Sequence, residues 1–176
     1  MCRIHIIQSP KFLLTMVYSI SRVICLFAGR SSLLALAGLL IVLSGCQDET
    51  VDHYPPQPQI ELVGVSSDTI RQYEDDLIIT ISYKDGDGDL GFENPEEYAL
   101  FVRDIRLENF DGFYVGPLAP PDANVPIQGQ LHIEFPSLFL FGNGGIELTR
   151  FEIKMIDRAG NESNLLETGL IAITRN

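Results

Sequence analysis

Asp85, Asp87 and Asp89 alternate with Gly86 and Gly88 and run on into Leu90 and Gly91, and no other group of side chains in this chain points as directly to chemistry. Carboxylates on a loop softened by glycine can turn their oxygens toward one point. A hard cation such as Ca2+ takes six to eight oxygen ligands at about 2.3–2.6 Å, which this spacing can begin to supply. Three carboxylates held so close repel one another, and a cation would relieve a cost otherwise left to solvent and salt. The plainer alternative is an acidic, solvated turn that holds no ion.

With Asp85 as the first of twelve loop positions, Asp87, Asp89 and Glu96 fall at three, five and twelve, as in an EF-hand. The match stops there. Position six is Leu90 instead of glycine, Pro95 interrupts the loop, and the apolar run before it alternates like a strand. An EF-hand is excluded, although its use of alternate oxygens carries over. The run from Asp85 to Gly91 is also similar to a segment that recurs in Bacteroidota lipoproteins of this size.

The elements that must position this loop are strands. Segment 77–83 is β-branched and alternating, 101–107 repeats the pattern, and at 131–135 Leu131, Ile133 and Phe135 oppose His132 and Glu134. In 59–65, Ile60, Leu62 and Gly64 oppose Glu61, Val63 and Val65; Phe151, Ile153 and Met155 alternate with Glu152 and Lys154; and 165–174 closes the chain. Beyond Cys46 no apolar period of 3.6 residues lasts three turns. Gly, Asn, Asp and Pro clusters separate the short runs, so the expected fold is all-β, a single antiparallel β-sandwich over residues 59–176.

That pattern resembles immunoglobulin-like and fibronectin type III-like domains. Asp157-Arg158-Ala159-Gly160-Asn161, followed by Ser163, looks like the D-x-A-G-N-x-S turn before the last strand of many such domains. The resemblance implies that the loop after the second strand, taken as 77–83, shares an end of the sandwich with that turn. Asp157 and Asn161 then join Asp85, Asp87 and Asp89 as candidate Ca2+ ligands.

Other chemistry is thinly supported. The chain has no G-x-S-x-G, H-E-x-x-H or P-loop, and His53 and His132 have no visible triad or metal partner, so no enzymatic activity is expected. The long Gly- and Pro-rich connection 110–129 carries Phe110, Phe113 and Tyr114. These aromatics offer a platform for a glycan or peptide, or they pack over the edge of the sandwich.

Ahead of the domain, Leu43-Ser44-Gly45-Cys46 ends the apolar run 33–43 and resembles a lipobox, which implies cleavage before Cys46 and a diacylglycerol with acyl chains on its thiol. The run has the length of a signal-peptide core and falls short of the ~20 residues of a membrane-spanning helix. Residues 1–45 are thus expected as a lipoprotein signal peptide, with Met16 an alternative start, and 46–58 as an acidic, Pro-rich tether. Gln47-Asp48-Glu49 resembles the surface-export signal of Bacteroidota lipoproteins. The expected place is the outer membrane, facing periplasm or cell surface, beside other envelope proteins or glycans.

Four of the 12 Lys and Arg precede Cys46, and none of the 24 acids does. The remaining eight cations against 24 acids leave a net charge of −16, which opposes nucleic-acid binding and favours cations. Cys2 and Cys25 also precede the cleavage point. Cys46 then stands alone, with no internal disulfide or thiolate metal site.

Overall fold

The computed structural model describes residues 54–120 and 122–175. The signal peptide expected at 1–45, the alternative start at Met16, Cys46 and the first part of the 46–58 tether lie outside the described residues. Within them there is no helix, and the chain forms an all-β sandwich. Its strands are β1 (Gln59–Val65), β2 (Thr69–Arg71), β3 (Leu77–Asp85), β4 (Leu100–Asp104), β5 (Asp111–Phe113), β6 (Ile127–Phe135), β7 (Ile146–Thr149), β8 (Phe151–Met155), β9 (Leu166–Glu167) and β10 (Ile171–Thr174).

One layer is the antiparallel sheet β1-β3-β6. In β3 the alternation puts Leu77, Ile79, Ile81 and Tyr83 inside, and in β6 Leu131, Ile133 and Phe135 meet them. In β1 a bulge between Leu62 and Gly64 overturns the expected parity. The extra residue, Val63, is exposed, and Val65 turns inward against the core in place of Gly64.

The facing layer comprises β5-β4-β8-β9 and β2-β10-β7. β7 and β8 are separated only by Arg150, and their partners β9 and β10 by residues 168–170, so each pair follows nearly one line. At the break the Phe151 N–H donates to the Thr168 hydroxyl at 2.9 Å and the Thr168 N–H donates to the Phe151 carbonyl at 2.9 Å. Thr168 thereby replaces a ladder bond with its side chain. β2 lies parallel to β10, so 77–83 belongs to the third strand and not the second, because three residues at 69–71 suffice to pair. β5 likewise takes three residues from the long connection and pairs with β4.

Buried polar groups pin this layer. Asp104, at the end of β4, accepts from the Thr149 hydroxyl of β7 and from the Arg106 guanidinium, at 2.6 Å for the closest Arg106 contact. Arg106 also reaches Glu147 at 2.9 Å. Burial pushes the Asp104 carboxyl up, but the hydrogen bonds from Arg106 and Thr149 and the charge of Arg106 outweigh it and hold the group below the ordinary range.

The registers define two ends. Asp85 pairs with Ile127, while Leu77 pairs with Phe135. In the other layer Met155 pairs with Leu100 and Phe151 with Asp104. An isolated bridge joins Leu90 to Asp157 just beyond Met155, so the acidic loop and the 157–161 turn share one end. The Phe135, Phe151 and Asp104 positions mark the other, about 30 Å away along the nine residues of β3.

Candidate metal centre at the acidic loop

Asp85 is the last residue of β3, and the inward parity of Ile79, Ile81 and Tyr83 carries its side chain into the interior, where it is fully buried. One of its oxygens accepts the Asp89 N–H at 2.9 Å and closes the loop on itself. The other, with Oδ1 of Asp87 and of Asp89, is buried and has no hydrogen-bond partner. Carboxylate oxygens from these three residues lie within 4.8 Å of one another. Two ligands on opposite sides of a Ca2+ ion are about 4.8 Å apart, so the spacing of the three is of the size that one ion requires.

The loop reaches this shape because neighbouring backbone comes too close for any side chain. A Cβ on Gly86 would stand 2.2 Å from the Tyr54 carbonyl oxygen, one on Gly88 2.4 Å from that of Val125, and one on Gly91 2.2 Å from that of Gly116. Gly88 and Gly91 also have φ of 74° and 85°, in the left-handed region. The approaching segments are the end of the tether and the 114–126 connection. Gly86 N–H donates to the Pro55 carbonyl at 3.0 Å, and Phe92 N–H to that of Val115 at 2.9 Å. Together they seal Asp85 from water and leave Asp87 and Asp89 half-buried.

The electrostatic consequence is a strained set of charges. Burial, followed by repulsion from Asp87 and Asp89, pushes the Asp85 carboxyl up to about 6. Asp89 is also raised, by burial first and then by Asp157 and Asp87. Arg158 faces the loop, donating to the Gly91 carbonyl at 2.9 Å and lowering Asp89 slightly. One cation against Asp85, Asp87, Asp89 and Asp157 leaves three negative charges uncompensated.

Asp157 stands beside the cluster as a fourth charge, but its oxygens are engaged in the turn. They accept the Asn161 N–H at 2.7 Å and the Asn161 side-chain amide at 2.8 Å. The turn docks on the loop through its backbone, since the Ala159 N–H donates to the Asp89 carboxylate at 3.0 Å and the Arg158 N–H to the Asp89 carbonyl at 3.2 Å. The geometry therefore brings Asp85, Asp87 and Asp89 together and gives Asp157 and Asn161 a supporting place. The walls formed by Tyr54, Pro55 and Val125 had no signal in sequence spacing, because they arrive from distant parts of the chain, whereas Arg158 comes with the 157–161 turn but was not singled out from it.

The aromatics at 110–114 do not gather on one platform. Phe110 carries Arg103 over its ring at 4.9 Å and Lys154 at 5.6 Å. Phe113, three residues on, packs against the core, and Tyr114 is partly exposed beyond the end of β5. His132 meets the Thr80 hydroxyl across the β3-β6 ladder at 3.0 Å.

No family model, curated protein or solved structure matches the chain. What it does must be argued from its own residues.

Proposed function

We propose that the protein is a lipid-anchored, non-enzymatic cell-envelope protein whose single sandwich holds a Ca2+ ion at Asp85, Asp87 and Asp89 and serves as a structural or interaction module. The observation that carries the ion is the trio of buried carboxylate oxygens without partners. Buried polar atoms are nearly always satisfied, and three carboxylates that gather on one point while each keeps an unpartnered oxygen have a cation as their simplest common partner. The ion's role is structural. It would fix the loop on which the 157–161 turn and Pro55 dock through hydrogen bonds from Ala159 and Gly86.

Melting the full-length protein in detergent tests the ion. Calcium at a hundred times its Kd is expected to stabilise the fold by about 2.7 kcal/mol, several degrees in Tm. Asp87→Asn combined with Asp89→Asn should abolish the shift. An equal shift in that double variant, or none at millimolar calcium, overturns the site.

The anchor rests on the lipobox resemblance at Cys46. Cells expressing the chain and fed radiolabelled palmitate should label it, and Cys46→Ala should remove the label. Label that persists in Cys46→Ala would assign acylation elsewhere and remove the anchor from this reading.

A further inference from the structure

The end of the sandwich opposite the acidic loop is open. Phe135 and Phe151 stack there with ring centroids 4.7 Å apart, and with Val102 and Phe113 they line a pit of about 140 Å³. That is close to the cavities of about 150 Å³ that hold a benzene, so the pit fits one leucine or phenylalanine side chain.

Its mouth is aromatic and exposed. Phe139 and Phe141 are 43% and 49% accessible, and Tyr73 beside them is 65%. Tyr73 stacks on Phe139 at 5.9 Å, and Phe139 meets Phe141 edge-on at 5.3 Å. Continuous exposed aromatic surface of this kind marks a contact site.

The charges beside the pit select the occupant. Arg106 is the one cation in its lining, and it is held by both Asp104 and Glu147. Asp111 lies on the lip, exposed and without a partner among the described residues. Two net negative charges therefore flank an apolar hollow whose buried polar groups already bond one another. A sugar would leave its hydroxyls unsatisfied there. An apolar side chain flanked by cations fits both features, since Asp111 attracts the charge and the exposed rings accept it by cation–π contact.

We propose that this pit is a docking site for a partner protein's basic segment, which seats one apolar side chain against the stacked Phe135–Phe151 pair and Phe113 while its flanking Lys or Arg meets Asp111 and the exposed ring of Phe139. The site itself depends on neither the anchor nor calcium.

The test uses the full-length protein in detergent and three labelled pentapeptides with blocked ends and Gly at both termini, with Lys-Leu-Lys, Lys-Gly-Lys or Glu-Leu-Glu in the centre. Fluorescence polarisation should show saturable binding of the Lys-Leu-Lys probe and at least tenfold weaker binding of the other two. Asp111→Asn should weaken it about threefold to fivefold and Phe139→Ala about tenfold, with the calcium response of each variant intact. The proposal is overturned if the three peptides bind alike, if none binds at millimolar concentration, or if the two variants bind as the parent does. Displacement of the probe by a neutral hexasaccharide would assign the pit to glycans instead.

Discussion

Arg106→Met is expected to destabilise the fold by about 3–5 kcal/mol, the cost of leaving a buried carboxylate without its counter-charge. Arg106 is only 12% exposed and donates to Asp104, Glu147 and the Phe139 carbonyl, with its guanidinium over the Phe141 ring at 4.2 Å. Without it, Asp104 would keep the Thr149 hydroxyl and the residue 106 N–H, which satisfy lone pairs but not charge. Adding Asp104→Asn to Arg106→Met removes that charge and should recover part of the loss. Urea denaturation of the full-length protein measures both. A loss below about 1 kcal/mol for Arg106→Met would mean that the pair is solvated like a surface bridge.

The second large effect is a reversal of pH dependence by calcium. Asp85 has a folded pKa of about 6 against an ordinary 3.8. The metal-free folded state therefore holds the proton more tightly than the unfolded chain does. Its stability is fully present below pH 3.8 and is lost as pH rises through about 6; the shift corresponds to at most about 3 kcal/mol, less what solvent screens of the repulsion from half-exposed Asp87 and Asp89. Asp89, also raised, acts in the same direction. Asp104 acts oppositely and in a separate window: its carboxyl is lowered, so its contribution is present above pH 3.8 and lost as pH falls through its folded value.

Saturating calcium holds the three carboxylates ionised, so protonation now competes with the ion. Stability should then rise with pH across the same interval from pH 4 to 7. Denaturation at several pH values, metal-free and with calcium, reads the two slopes. Asp85→Asn keeps an oxygen for the Asp89 N–H and removes a charge, so the metal-free variant should equal or exceed the parent at pH 7 with a flattened profile. Slopes of the same sign with and without calcium would remove the ion from Asp85.

How much of this was legible can be judged strand by strand. Alternation identified β3, β6 and β8 with the correct buried faces, because a half-buried strand writes its own two-residue period. It could not identify β2, β5 or β7, which are three or four residues long and pair where a neighbour offers a free edge, and it ran β9 and β10 together as one closing segment, 165–174. It also misjudged Val65, since a bulge reverses parity without changing composition. The long connection left two readings open, an aromatic platform or packing over the sandwich edge. Its first residues became β5, which leaves Phe113 against the core and Phe110 under Arg103 and Lys154.

The carboxylate trio was written in the chain as Asp85, Asp87 and Asp89, because the spacing of ligands on one loop is a local property. So were the acidic charge and the antiparallel sheet pattern. Only the tertiary structure decided that Asp85 is sealed from water, that the tether and the 114–126 connection press on Gly86, Gly88 and Gly91, and that Asp157 bonds with Asn161. It alone made the aromatic pit at the far end, from residues as distant as Val102 and Phe151. Desolvation and cavity shape depend on which segments meet. That is set by the summed packing of the sandwich, and no local run of residues encodes it.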